Sequence, residues 1–197
     1  MTVITHLGSS SLLLPIIALI VVGLWRTRQI AALRIWLASF FVAVGFTLAT
    51  KIAFMGWGLG IPALDFTGIS GHGLLATAVL PVLLAFISSA RHRYLAFPVG
   101  LCIGALVAIL RVALHTHSLS EVVIAWLLGG LVAWSAIRKL DPAARPPSYV
   151  VAAPLLLLFA FNAPAATYLP SHDIEIRLAL MLSGRDTPHA RALDATR

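Results

Sequence analysis

Long hydrophobic runs, separated by short polar segments, dominate the chain. Six of these runs approach or reach the roughly 20 residues that a helix needs to cross a bilayer. They are Leu7–Trp25, Leu33–Thr50, Gly71–Ser89, Tyr94–Leu114, Leu119–Ile137 and Ser148–Leu169. Pro15, Pro154 and Pro164 interrupt the first and the last run. The pattern predicts an all-α fold, a polytopic membrane helix bundle of about six transmembrane helices.

Two polar segments stand out between and after these runs. The loop Met55–Ile69 contains Pro62 and several glycines, which predicts a true break between the second and third helices. After Pro170 the chain becomes polar, so residues 171–197 are predicted to form a polar C-terminal tail. Within this tail, Ile174–Leu182 carries a weak signal for a short interfacial segment.

Composition excludes a soluble domain. Hydrophobic residues make up 60% of the chain and charged residues only 11%, with a mean hydropathy of +0.97. A soluble domain carries about 25% charged residues. The net charge of +7 does not indicate nucleic acid, because eight of the 14 basic residues lie in three short connections between the apolar runs.

These three basic connections predict the topology. They alternate with connections that lack such clusters, so the positive-inside rule places them in the cytoplasm and both termini outside. Their basic residues are Arg26, Arg28 and Arg34, then Arg91 and Arg93, then Arg138, Lys139 and Arg145. The remaining polar residues of interest then gather on the other face. We therefore expect a multi-pass protein of the cell (inner) membrane whose site faces the periplasm or the outside.

His117 and Glu121 are the first candidates for chemistry. They are four residues apart at the start of the fifth run, so their side chains can meet on one helix face. A carboxylate that holds one imidazole nitrogen protonated leaves the other as a nucleophile. Ser118-Leu-Ser-Glu121 also matches a capping box, and the two roles are compatible.

Arg111, six residues before His117, presents a planar fork suited to phosphate oxygens, although an arginine near a helix end can also snorkel to the interface. Ser70-Gly71-His72 opens the third run, where a helix N-terminus offers unpaired N–H groups to an anion. His72 there is a candidate general acid, with a simple serine cap as the alternative. Lys51 is a second candidate cation, or a snorkelling lysine.

A metal site is not expected. His115 lies two residues from His117, but no second histidine pair and no further carboxylates accompany it. Cys102 is the only cysteine and lies in an apolar run, so neither a disulfide within the chain nor a zinc motif is available.

Three short motifs resemble the signature of the type-2 phosphatidic acid phosphatase superfamily, which also includes vanadium haloperoxidases. The last of the three along the chain is Ser-Arg-x5-His-x3-Asp in that family. Arg111, His117 and Glu121 match it at the same spacings, with Glu in place of Asp and Leu110 in place of Ser.

The other two motifs lie upstream, in the family's order. Ser70-Gly71-His72 matches Pro-Ser-Gly-His, with Ile69 in place of Pro. The first motif, Lys-x6-Arg-Pro, keeps Lys51, whereas Gly58 and Leu59 stand where Arg-Pro would be. The resemblance covers roughly residues 45–140.

The resemblance implies roles for these residues. His117 would attack phosphorus to give a phosphohistidine, Glu121 would orient it, and His72 would protonate the leaving group. The phosphate-binding residues would be Lys51, Ser70, Gly71 and Arg111. This mechanism uses neither a metal nor a cofactor.

The implied function is a metal-independent phosphoric monoester or diphosphate hydrolase acting on lipid phosphates. Residues 1–170 would form its six-helix transmembrane domain. Its partners would be a phosphorylated lipid substrate and membrane lipids, not nucleic acid, and no oligomeric state is indicated. One alternative is a catalytically weak relative that binds or transports a phosphorylated lipid, because the first motif lacks its arginine. Another is a structural membrane protein whose polar residues are caps and snorkels.

Overall fold

A computed structural model describes residues 10–89, 91–141, 143–144, 146–160 and 171–190 of the protein. This part of the chain is all-helical, as the hydrophobic pattern predicts. Its helices are α1 (Ser10–Arg26), α2 (Ile30–Trp57), α3 (Gly71–Ile87), α4 (Arg93–Ala113), α5 (Leu119–Ile137), α6 (Ser148–Ala160) and α7 (Ser171–Ser183). A short 3₁₀ turn, Pro62–Leu64, lies in the connection between α2 and α3.

The helix boundaries agree with the hydrophobic runs, with one correction at the end of α2. The sequence places Lys51 at the end of the second run and begins a loop at Met55, but α2 continues to Trp57. Gly58 ends the helix in a left-handed conformation, with φ of 70°. Lys51 therefore projects from within the helix. Residues 161–169 of the sixth run lie outside the described residues.

Prolines lie inside several helices without ending them. Pro15 lies within α1 and Pro154 within α6. In a bundle of apolar helices, neighbouring helices and local adjustments satisfy the backbone groups that a proline frees.

Helix α3 is the centre of the bundle, because almost its whole length from Gly73 to Phe86 is buried. Two glycines allow its neighbours to approach closely. A Cβ on Gly100 of α4 would lie 2.4 Å from the Cα of Pro81, and one on Gly129 of α5 would lie 2.8 Å from the backbone oxygen of Leu74. Small residues at helix contacts are a common packing device within membranes.

The basic connections predicted to share one side meet at one end of the bundle. The side-chain oxygen of Gln29, before α2, accepts a hydrogen bond from the Asp141 amide at 2.8 Å. The Arg93 guanidinium, at the start of α4, donates to the Leu140 carbonyl at 3.4 Å. The three connections are therefore linked through the residues that follow α5, as the alternating topology requires.

Three helices are long and apolar enough to cross a membrane: Ile30–Trp57, Leu95–Ala113 and Leu119–Ile137. Leu12–Arg26 and Gly71–Ile87 are shorter apolar helices. Large hydrophobic side chains are also exposed on the surface, for example Phe41 at 66% and Val42 at 73%. These observations identify a membrane protein. The number of six spans remains a prediction.

Helix α7, in the predicted polar tail, packs against the last turns of α2. A Cβ on Gly56 of α2 would lie 3.2 Å from the Cβ of Ser183 and 3.3 Å from the backbone oxygen of Ala179. Just beyond α7, the His189 amide donates to the Met55 carbonyl at 2.8 Å. These contacts bring the C-terminal segment to the end of the bundle opposite the basic connections.

Candidate active site

His117 and Glu121 contact each other directly, as their spacing predicts. Nδ1 of His117 lies 2.6 Å from Oε2 of Glu121. The Glu121 side chain is fully buried, whereas 18% of the His117 side chain is exposed. Among the described residues, Nε2 of His117 has no hydrogen-bond partner. The pair thus consists of a buried carboxylate and a partly exposed imidazole.

The Glu121 carboxylate is held by donors from two segments. Its Oε1 accepts from the amide and the hydroxyl of Thr67, both at 2.6 Å, and from the Gly68 amide at 3.2 Å. Its Oε2 also accepts from the Ser118 amide at 3.2 Å. A carboxyl group surrounded by N–H and O–H donors is an acceptor, so it is ionised. Nδ1 of His117 therefore donates to this carboxylate, and Nε2 is the ring nitrogen that does not contact it.

The predicted capping box is confirmed and coexists with the histidine contact. The Ser118 hydroxyl accepts from the Glu121 amide at 3.4 Å, and the Glu121 carboxylate accepts from the Ser118 amide. The Ser118 cap and the His117 ring share the Glu121 carboxylate, because His117 directly precedes the N-cap residue. Burying a carboxylate is costly unless its lone pairs are used, and this arrangement uses them.

A short turn brings His117 back to Arg111. The Arg111 carbonyl, at the end of α4, accepts from the Thr116 amide at 3.1 Å and from the His117 amide at 3.4 Å. His115 lies within this turn at φ of 55° and is exposed. Arg111 itself is half-buried. The motif from Arg111 to Glu121 is thus one compact helix–turn–helix junction.

The second predicted motif forms the N-terminus of α3, beside this junction. Ser70 is fully buried and is the N-cap: its hydroxyl accepts from the Gly73 amide at 3.4 Å. The Ser70 amide donates to the Glu121 carbonyl at 3.3 Å, which ties the starts of α3 and α5 together. His72 follows in the first turn of α3, and the charges of Arg111 and Lys51 act on it, as does the ring of His117.

Lys51 reaches the same place from α2. Its Nζ lies 3.8 Å from the position that a Cβ on Gly71 would take. Gly68 is also packed onto this lysine, since a Cβ there would lie 2.8 Å from Cγ of Lys51. Without side chains at Gly68 and Gly71, the lysine can lie against the start of α3. All the residues predicted for the site therefore gather at one end of the bundle.

Three residues at the site have no signal in the sequence motifs. Thr67 and Gly68 hold Glu121, and only the glycine-rich composition of their loop draws attention to that segment. Glu175 of α7 accepts from Nζ of Lys51 through both carboxylate oxygens, at 2.8 and 2.9 Å. Its only signal is an acidic position in a weakly amphipathic tail segment. Within the described residues, no group of three or more His, Cys, Asp or Glu side chains could hold a metal ion.

The family model of the PAP2 superfamily matches residues 55–145. The chain belongs to this superfamily. It is 34% identical over 204 residues to an uncharacterized 22.5 kDa protein in the cps region of Klebsiella pneumoniae, covering 95% of this chain and 94% of that protein. No solved structure matches the chain. PAP2 membership supports a phosphatase-type activity on phosphorylated substrates.

Only part of the site lies within the residues that the family model matches. The matched segment contains both the second and the third motif, from Ser70 to Glu121, together with the Thr67-Gly68 segment that holds Glu121. Lys51 and Glu175 lie outside it. The assignment of Lys51 to the site therefore rests on its place in the first motif and on its position beside Gly71 in this structure.

Proposed function

We propose that this protein is an integral membrane phosphatase that hydrolyses lipid phosphate or diphosphate monoesters through a phosphohistidine intermediate. The observation that carries the proposal is the His117–Glu121 pair, in which a buried, fully engaged carboxylate leaves Nε2 of a partly exposed imidazole unpaired among the described residues. The nucleophile is then prepared before the substrate arrives.

In the first step Nε2 of His117 attacks phosphorus, and the bond from phosphorus to the leaving oxygen breaks. His72, adjacent at the start of α3, donates a proton to that oxygen. The resulting imidazolium is stabilised by Glu121. In the second step His72 takes a proton from water, the water oxygen attacks phosphorus, the P–N bond breaks, and phosphate leaves.

The phosphate oxygens carry the charge that the site must stabilise. Arg111 and Lys51 supply two cations, and the start of α3 at Ser70 and Gly71 supplies unpaired N–H groups and the positive end of the helix dipole. Groups already in place before the reaction stabilise developing charge without reorganising.

The location follows from the two ends of the bundle. The site lies opposite the linked basic connections, so the positive-inside rule assigns it to the non-cytoplasmic face of the cell membrane. A lipid keeps its tails in the outer leaflet and presents its phosphate to the site without crossing the bilayer.

The test is phosphate release by the purified full chain in detergent, without added metal. A panel of phosphatidic acid, phosphatidylglycerol phosphate, undecaprenyl diphosphate and a lipid A phosphate should give vanadate-sensitive turnover with at least one member. Sealed right-side-out vesicles should then release phosphate to the medium. Phosphate appearing only in the lumen would contradict the assigned face.

A second candidate is a catalytically weak relative that binds or transports a phosphorylated lipid. The observation in its favour is that Gly58 stands at the arginine position of the family's first motif, so one cation fewer surrounds the phosphate. Saturable binding of a lipid phosphate without phosphate release would select this candidate.

A further inference from the structure

The ion pair between Lys51 and Glu175 joins two helices 124 residues apart in sequence. The ammonium contacts both carboxylate oxygens, at 2.8 and 2.9 Å. The Lys51 and Glu175 side chains keep 18% and 16% of their surface exposed. A pair with this exposure remains accessible to water and to other anions.

The pair lies where the proposed function requires a phosphate. Nζ of Lys51 is 3.8 Å from the Cβ position of Gly71, in the first turn of α3, and its charge acts on His72. The carboxylate of Glu175 thus engages the very cation that would contact a phosphate oxygen. The Glu175 carboxylate and a phosphate oxygen cannot both occupy the same side of the Lys51 ammonium.

We propose that Glu175 is an internal competitor of the substrate phosphate, which must displace its carboxylate from Lys51 to bind. The proposal rests on the proposed function, because it takes Lys51 as a phosphate ligand. It makes Glu175 a residue that determines affinity and specificity and does not act in the chemical step.

Charge decides which substrates can make this exchange. A carboxylate carries one negative charge, and a terminal phosphate carries about −1.5 to −2 at neutral pH. Replacing Glu175 by a terminal phosphate therefore increases the attraction to Lys51, whereas a phosphodiester, with one charge, gains nothing. Glu175 thereby favours phosphate monoesters and terminal diphosphates over the phosphodiesters that fill the surrounding membrane.

The exchange needs only a side-chain movement. Helix α7 is also held against α2 through Ala179 and Ser183, which face Gly56, so the helix stays in place when the carboxylate leaves. His172, one turn before Glu175, lies 3.6 Å away through Nδ1 and is 74% exposed. When the Glu175 carboxylate leaves Lys51, it keeps His172 as a neighbour and can be hydrated by water.

The experiment compares E175Q with D173N in the full chain in detergent at fixed ionic strength. Asp173 is exposed on the same helix, so D173N makes the same change in net charge away from Lys51. Orthovanadate binding is measured by thermal shift, which does not require turnover. E175Q should bind vanadate about five-fold more tightly than the wild type, the scale of a partly exposed pair, and D173N should bind as the wild type does.

Further variants make the result decisive. K51A should bind vanadate more weakly, and adding E175Q to it should cause no further change, because the competition needs the lysine. E175D keeps the negative charge on a shorter side chain. It serves as the control that the protein still folds when residue 175 is changed. Discrimination between a lipid phosphate monoester and a phosphodiester should fall in E175Q.

Weaker or unchanged vanadate binding in E175Q overturns the proposal, and so does equal tightening in D173N. Absence of vanadate binding in every variant also overturns it, since Lys51 is then not a phosphate ligand. Tighter binding in E175Q without turnover by any variant supports the competition, and it is the proposed phosphatase activity that then fails.

Discussion

The candidate site has a nucleophile half, formed by His117, Glu121, Thr67 and Gly68, and a cation half, formed by Lys51 and Glu175. In the first, a carboxylate with no exposed surface accepts hydrogen bonds from the loop before α3 and from the start of α5. In the second, an ammonium and a carboxylate meet with 18% and 16% of their side-chain surface exposed.

The nucleophile half is therefore suited to a fixed geometry, and the cation half is suited to exchanging one anion for another. A buried charge whose lone pairs are used is costly to disturb, so His117 is held in one orientation. A partly exposed pair contributes little stability and can open at low cost. The PAP2 match includes the whole nucleophile half and neither residue of the cation half. Lys51 fits the first position of the family's first motif but lies before the matched residues, and Glu175 of α7 has no counterpart in the three motifs.

The largest effect is expected from removing the nucleophile. H117A should lower phosphate release at least about 10³-fold, because no other group stands in place to attack phosphorus. H115N is the matched control: it removes an imidazole two residues away, and asparagine tolerates the left-handed backbone of that position. Turnover by H117A at the wild-type rate would remove His117 from the mechanism.

The next effect tests the orienting carboxylate. E121Q should lower kcat about 10³-fold, because an amide can donate to Nδ1 and favour the wrong tautomer of His117. Its NH₂ group would also face the donors of Thr67 or Ser118, so the melting temperature should fall. Vanadate affinity at Lys51 should change far less than kcat. A loss of affinity equal to the loss of rate would contradict the division into halves.

His72 is influenced electrostatically by residues of both halves, Lys51 and His117. H72A should lower the rate about 10²-fold for substrates with alkoxide leaving groups and much less for an activated aryl phosphate, which needs no general acid. Bound substrate phosphate offsets the positive charges of Arg111 and Lys51 beside His72, so the alkaline limb of the kcat profile should report His72 and should be absent in H72A. Equal losses for both substrates would exclude His72 as the acid.

The smallest effect tests how far the fixed geometry depends on the loop. T67V removes the hydroxyl that donates to Glu121 and keeps the backbone amide. We expect about a tenfold loss of kcat with unchanged KM, from one charge-assisted hydrogen bond. T67S retains the hydroxyl and should retain activity. A change in KM alone, or an equal loss in T67S, would show that Thr67 does not act through Glu121.

Local patterns in the sequence were enough for much of this molecule. The hydrophobic runs predict the helices, and Ser70 and Ser118 predict where α3 and α5 begin. The four-residue spacing of His117 and Glu121 predicts their contact, because a helix fixes it locally. The hydrophobic pattern places the end of α2 too early, because the apolar residues beyond Lys51 continue the helix until Gly58 allows a left-handed turn.

Contacts between distant segments were decided by tertiary structure alone. Thr67 reaches Glu121 across 54 residues, and Lys51 reaches Glu175 across 124, and no periodicity or spacing encodes either pair. A loop threonine and a tail glutamate have the same local appearance whether they face water or a buried partner. These side chains reach the site only because α3 packs between α4 and α5 and because α7 packs on α2. Burial and pairing are properties of the assembled bundle and not of any one segment.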